Sequence, residues 1–328
     1  MYYEPYQKKK SPRQPRRRRK TLGGWLAELC LRLLALVLIL ILLCVGLLYA
    51  LPVSLFAVEP EDVDLSLTDG LPASRANILL LGLDELRENS RRSDTVMIAS
   101  VGYGQLRLAS ILRDTVVNIP GYGADKLNAA YAHGGPQLVM KTLNQAFGLN
   151  LMHYIAVDYA ALAGAVDALG GVDVPLSKAE LSALNDLIDG ARARLAARGY
   201  TAPDLVLGGE TTHLNGVQAL AYARIRKLDS DFMRASRQRT LLEAMLKKVR
   251  SSLWNPLRLI RLARALLDAS DTNLSLIQLL SLGEKALAAG VPEQKRLPVD
   301  GSYTDDGSAL RVDDFPANAE AFRAFAYD

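Results

Sequence analysis

Cysteine is almost missing from this 328-residue chain: Cys30 and Cys44 are the only two, and both lie in or beside an apolar run. The rest of the chain therefore has no disulfide framework, no CxxC metal knuckle and no cysteine nucleophile. Histidine is nearly as scarce, with His133, His153 and His213. None has HExxH spacing, so they read as core or surface residues rather than zinc ligands. The phosphate-cradling GxxxxGK[ST] loop is absent, as are the GxSxG and SxxK nucleophile motifs. No internal repeat occurs. Charge disappears entirely from residues 33–51, a run of 19 residues. That is long enough to cross a hydrocarbon core of about 30 Å.

Before that run the chain is strongly basic. Residues 1–20 hold nine lysines and arginines against one acid, Glu4, while the whole chain is only +4, so everything afterwards is net acidic. Positive charge ahead of an apolar span keeps the leading end in the cytoplasm. A cleaved signal peptide has a shorter apolar core, about 7–15 residues. The expected organisation is a basic cytoplasmic tail at 1–24, a transmembrane signal-anchor at 25–52, a linker at 53–76 and an extracellular domain at 77–328. With the basic tail inside and an acidic domain outside, nucleic acid is not an expected partner, whereas membrane lipid is. A domain of this size stabilises itself by core burial without disulfides.

The outer part alternates strands and helices. Strands are expected at 77–84, 95–101 and 105–117, the last two joined by the Gly102-Tyr103-Gly104 turn. A helix is expected at 136–147, closed by Gly148, then a strand at 154–157 and a helix at 159–169 stopped by Gly170-Gly171. A strand at 172–174 and a helix at 178–198 follow. Asn215 caps a helix to about Ala221, Asp231 caps another to about Val249, and 256–289 reads as two helices. From 298 onward the chain looks loop-like. This order predicts an α/β/α sandwich with a central mixed sheet.

Arginines in the second half are spaced for a compact anion. Arg224 and Arg226 lie two apart, and so share a side if the segment is extended. Arg234, Arg237 and Gln238 share one helical face. Guanidinium forks match phosphate oxygens in pairs. The plainer alternatives are a solvated edge strand and an exposed helical face. Asp84 ends one expected strand and Asp94 begins the next, where α/β folds gather ligands. Two carboxylates there supply oxygen ligands of the type Mg²⁺ takes. They read equally as a turn residue and a cap. Arg113, inside an apolar strand, requires a partner or a ligand. Lys126 and Asn128 fall in a Gly-rich stretch that reads as a surface loop.

Five ordered pieces carry a resemblance: NILLLGLD (77–84), RRSDTVMIASV (91–101), SILRDTVVNIPGYGADKLNAAYAHGG (110–135), LNGVQALAYARIRK (214–227) and SDFMRASRQR (230–239). Together, behind a basic tail and an apolar span, they resemble the LytR-CpsA-Psr family of cell-wall glycopolymer transferases. The resemblance implies a deep apolar groove for a polyprenyl chain. It implies transfer of a polymer from a polyprenyl-pyrophosphate carrier to peptidoglycan, with Mg²⁺. By similarity, Asp84 and Asp94 would hold the metal. Arg92, Arg113, Arg224, Arg226, Arg234 and Gln238 would grip the pyrophosphate, joined by Arg237 and Lys126. Asp94, Arg113, Arg224 and Arg226 would be the catalytic set, with Asp94 the favoured proton acceptor. This chain has Ser230 where the family often has Gly, and 191–203 reads as local variation. Two other functions fit the same residues: a polyprenyl-pyrophosphate hydrolase using water as acceptor, and a non-catalytic module that binds anionic wall polymer.

Overall fold

The computed structural model describes residues 63–72, 74–84, 92–196, 206, 208, 211–225, 231–267 and 270–328. The chain divides into two compact units, 1–47 and 48–328, and the described residues all belong to the second. The expected tail at 1–24, the anchor at 25–52, Arg226 and Ser230 lie outside them. Among the described residues no helix is long and apolar enough to cross a membrane.

Three strands open the unit: β1 (Ala76–Asp84), β2 (Arg92–Gly102) and β3 (Gln105–Ile111). A hairpin of β4 (Thr115–Ile119) and β5 (Gly123–Lys126) leads into α1 (Leu127–Phe147). Next come β6 (His153–Val157), α2 (Tyr159–Ala168), β7 (Val172–Val174) and α3 (Lys178–Leu195). Then follow β8 (Thr212–Leu214), α4 (Gly216–Ala223), α5 (Asp231–Ser251) and α6 (Pro256–Leu267). The chain closes with β9 (Ser270–Thr272), α7 (Leu276–Ala288), β10 (Glu293–Leu297), β11 (Tyr303–Asp305), β12 (Leu310–Val312) and α8 (Phe315–Tyr327).

The central sheet has six strands in the order β10-β3-β2-β1-β6-β9. It is mixed: β1 runs antiparallel to β2 and parallel to β6. Successive residues of its near-continuously apolar strands face opposite sides, so both sides must be covered. Leu79, Leu81 and Ile98 pack with Val139, Leu143 and Phe147 of α1 and Phe322 of α8. Ile78, Val101 and Leu108 pack on the other side with Leu282 of α7 and Leu242 and Leu246 of α5. Each buried Leu or Ile contributes roughly 1.5–3 kcal/mol. This is the expected three-layer sandwich. A further cluster, drawn from α2, α3 and α4, forms around Val166, Leu184, Ile188 and Leu220.

Helix starts follow their caps. Asp158 accepts from the Ala161 amide at 2.6 Å to open α2. Ser177 with Glu180, and Asn215 with Gln218, form reciprocal capping boxes for α3 and α4. Each such cap is worth about 1 kcal/mol.

Several expectations change. The run 105–117 is not one strand. It breaks after Ile111, where the Thr115 amide donates to the Leu112 carbonyl at 3.1 Å, and β4 joins a separate four-stranded sheet. Arg113 therefore sits in a turn between sheets, not within a strand. Lys126 ends β5 and Asn128 is in the first turn of α1, so neither lies in a loop. α1 begins nine residues before the expected start at Pro136, because two helical pieces join across Gly134 and Gly135, the latter at φ 65°. Residues 216–223 are helical and Arg224 is their C-cap, so Arg224 is placed by the end of a helix rather than by an extended segment. The part after 298 is ordered: Phe322 and Ala326 of α8 lie in the main core. The folded unit also starts before 77, since Leu65 is in that core and its carbonyl accepts from Asn144 at 2.9 Å.

Candidate functional site

An irregularity in the β1–β2 ladder sets the site. Gly82 pairs with Thr95 and Leu83 with Ser93, so Asp94 is the extra residue of a β-bulge. A bulge re-aims the side chain it carries. Here Asp94 turns to the rim of a cavity of about 310 Å³. Gly82 is required at this crossing, because a Cβ there would meet the Thr95 Cβ at 2.9 Å.

Two arginines brace Asp94 from different parts of the chain. Arg113 Nη1 donates to Oδ1 at 2.7 Å and Arg234 Nη2 donates to Oδ2 at 3.1 Å. Arg113 also reaches Asp114 at 3.3 Å, and Lys126 Nζ lies 3.2 Å from the other Asp114 oxygen. An alternating chain of cations and carboxylates thus runs Lys126–Asp114–Arg113–Asp94–Arg234. Charge-assisted bonds of this kind hold guanidinium planes in a fixed aim.

The walls of the cavity are apolar, with Met97, Ile155, Leu162, Leu220, Leu241 and Met245 among them. Its polar residues include Asp94, Arg224, Arg234 and Gln238. Arg224, at the C-cap of α4, stands 4.9 Å over the Tyr159 ring. Arg194, near the end of α3, lies 5.9 Å from the same ring and 3.5 Å from Asp84. Arg194 and Arg224 also line a second cavity of about 590 Å³ between α3 and α4, so Arg224 faces both spaces.

Tyr159 lines the first cavity and is 9% exposed. Its hydroxyl is buried with no hydrogen-bond partner among the described residues. Burial pushes the phenol up to about 12; Arg224 opposes this, and Asp84 and Asp94 reinforce it. The group therefore stays a neutral O–H donor at any physiological pH. Burial, then the neighbouring Arg224, pull the Arg194 guanidinium below its ordinary value, while Asp84 works the other way. Neither Tyr159 nor Arg194 stands out in the sequence. Tyr159 reads as the first residue of a small-residue helix, and Arg194 falls in the segment that reads as local variation.

The structure brings Asp94, Arg113, Arg234, Gln238 and Arg224 together, with Lys126 behind them. Asp84 closes the far side through Arg194. Arg92 is exposed and is the ladder partner of Asp84. Arg237 departs from the expectation. It is 2% exposed, donates to Glu180 at 2.9 Å and to the Ile225 carbonyl at 3.0 Å, and is not among the residues lining the 310 Å³ cavity. Its helical position, three residues from Arg234, turns it towards α3 and the end of α4. Burial works to raise Glu180, but the Ser177 amide and the Arg237 guanidinium outweigh it and hold the carboxyl below its ordinary value.

Among the described residues no group of three or more His, Cys, Asp or Glu forms a ready-made metal cage. Asp84 and Asp94 offer two carboxylates at one end of the β1–β2 pair. That donor set suits an ion such as Mg²⁺, which completes its shell with water and substrate phosphate.

Fold and site define a class: an α/β domain whose basic, carboxylate-braced mouth opens on an apolar cavity, suited to an amphiphile with an anionic head. The LytR_cpsA_psr family model matches residues 58–319, and the chain belongs to that family. It is 34% identical over 247 residues to the polyisoprenyl-teichoic acid–peptidoglycan teichoic acid transferase TagU of Enterococcus faecalis, covering 73% of this chain and 75% of that protein. It is 29% identical over 261 residues to the regulatory protein MsrR of Staphylococcus aureus, covering 76% and 74%. A structure of TagT bound to LI-WTA superposes with a TM-score of 0.59 at 24% identity, over 76% of this chain and 88% of that one. TagV of B. subtilis gives 0.58 at 24%, over 76% and 95%. These structures share the fold.

Proposed function

We propose that this protein is a phosphotransferase that moves an anionic glycopolymer from a polyprenyl-pyrophosphate carrier to a peptidoglycan hydroxyl. The observation that carries this reading is the cavity. Its walls are mostly aliphatic, and its polar residues include Arg224, Arg234, Gln238, Tyr159 and Asp94. A polyprenyl tail satisfies the walls and a diphosphate satisfies the arginines. The TagU relative, a named teichoic acid transferase, supports the same chemistry. In this reading the tail at 1–24 is cytoplasmic, 25–52 anchors the chain in the membrane, and the domain acts outside.

Phosphoryl transfer depends on positioning and charge neutralisation more than on covalent catalysis. Arg224 and Arg234 hold the diphosphate and stabilise the charge that develops on the leaving lipid phosphate. Asp94 already accepts from two guanidinium groups, and its part is to aim them. The Tyr159 hydroxyl donates to a phosphate oxygen, which supplies its missing partner. Gln238 adds an amide at the same rim. Asp84 and Asp94 would hold Mg²⁺, which when bound neutralises phosphate charge. The apolar walls exclude water from the lipid side, which favours a sugar hydroxyl over water as acceptor.

The test uses full-length protein in detergent, a short lipid-pyrophosphate-linked sugar, a glycan acceptor and Mg²⁺. Phosphate-linked glycan is the expected product. Release of sugar phosphate to water alone would make the protein a hydrolase instead. Arg224→Ala is expected to cut turnover by about 10²–10³-fold with an unchanged melting temperature. Near-normal turnover in that variant removes the site assignment. Chelation is expected to stop transfer and added Mg²⁺ to restore it; indifference to chelator removes the metal from the reading.

A further inference from the structure

Between Glu243 and Asp268 the sequence holds six basic residues and no acid, although everything after the tail is net acidic. Three of the six are committed within the fold. Lys248 lies 3.7 Å from Asp173, Arg250 donates to the Ala286 and Leu287 carbonyls, and Arg258 donates to Ser252. The other three, Lys247, Arg261 and Arg264, are exposed, with Arg261 donating to the Leu257 carbonyl of its own helix at 3.3 Å. The same stretch exposes large apolar side chains: Leu253 at 51%, Trp254 at 96% and Leu257 at 68%. On α6, Leu257, Arg261 and Arg264 follow i, i+4, i+7 and so share one face. α6 packs on α2, and its Leu266 lines the apolar cavity. α6 and the turn before it therefore join an exposed surface of leucine, tryptophan and arginine to the wall of the apolar cavity.

An aromatic and aliphatic tip ringed by cations matches the water–hydrocarbon boundary of an anionic bilayer. A soluble polyanion would use the cations but has no use for the bare Trp254 and the two leucines. We propose that the surface made by Lys247, Leu253, Trp254, Leu257, Arg261 and Arg264 docks on anionic phospholipid. Docking turns α6 to the membrane, so that a lipid tail passes from the bilayer into the cavity without crossing water. The purpose of this contact rests on the transferase reading; the contact itself does not.

The chain has two tryptophans, Trp25 and Trp254, so Trp25→Phe leaves Trp254 as the sole reporter. That full-length variant is reconstituted in phosphatidylglycerol-containing vesicles, with and without lipids brominated near the headgroup end of the acyl chains. Docking is expected to make Trp254 emission blue-shifted, quenched by bromolipid and shielded from acrylamide. Merely tethered protein gives red-shifted emission, full acrylamide quenching and indifference to bromolipid, which overturns the proposal. A blue shift produced only by added soluble poly(glycerol phosphate) also overturns it, in favour of a polymer site. Arg261→Gln and Arg264→Gln are each expected to weaken bromolipid quenching and to slow transfer from a vesicle-embedded donor about fivefold. Transfer from a short, detergent-soluble donor should be unchanged. If the parent chain is quenched by bromolipid yet transfers nothing from either donor, docking stands and the transferase reading falls.

Discussion

Arg234 and Arg237 lie three residues apart on α5 and are almost equally buried, at 4% and 2% exposure. They belong to different parts of the molecule. Arg234 looks across to β2, meets Asp94 and lines the apolar cavity. Arg237 looks towards α3 and α4 and is closed by Glu180 and the Ile225 carbonyl. Arg234 lines the apolar-walled cavity beside Tyr159; Arg237 and Glu180 line a separate, more polar hollow with Ser177, Tyr222 and Thr240. The difference teaches that a buried arginine is no sign of a ligand by itself. What decides is the company it keeps: Asp94 and Arg234 share their opening with Arg224, Gln238 and apolar walls, whereas Arg237 is closed by Glu180 and a backbone carbonyl.

The sharpest way to break that contrast is Arg234→Ala. It leaves Asp94 buried beside one guanidinium fewer, so it should lose about 3–5 kcal/mol of stability. Turnover of the folded fraction should also fall about 100-fold or more, measured with the same transfer assay. Arg237→Ala should cost about 3 kcal/mol in denaturant titration, since it strands Glu180 and a carbonyl. Per folded molecule, its turnover should match the parent. If the two variants behave alike, the division of α5 into a site face and a structural face is wrong.

Tyr159→Phe tests the site side more gently. Removing a buried hydroxyl that has no partner should leave the melting temperature unchanged or slightly higher. Losing one donor to a charged phosphate should slow transfer about 10-fold. A stability loss without a rate effect would make Tyr159 a packing residue. The smallest expected effect concerns acid. Glu180 is held below its ordinary value, so its contribution to stability is present above the ordinary carboxylate range. It disappears as pH falls through the lowered value. Glu180→Gln should therefore flatten the acid limb of a stability–pH curve, while the parent declines there.

Much of this architecture is legible in the chain itself. The buried strands at 77–84 and 95–101 show as continuous apolar runs, and the helix start at Asn215 shows as a capping residue, whereas the capping box at Ser177 emerges only in the structure. The break after Ile111 does not show, because Leu112-Arg113-Asp114 continues a pattern of strand-like residues and the turn is held by sheet exchange. α8 was hidden for a similar reason: its alanine-rich stripe is weak in isolation and acquires meaning only against α1. At the site, Asp94, Arg113, Arg224, Arg234 and Gln238 were all within reach of motif reasoning. The bulge that turns Asp94 outward was not, since a ladder irregularity depends on the partner strand.

From its residues alone, this chain specified an α/β domain behind a basic tail and an uncharged run, with an excess of arginine in two short segments. Those are properties of composition and spacing, and they survive without a fold. Which arginine serves which purpose was decided only in three dimensions. Arg234 meets its aspartate across 140 positions and Arg237 its glutamate across 57. Electrostatic pairing falls off with distance in space, not along the chain, so only the folded arrangement assigns the partners.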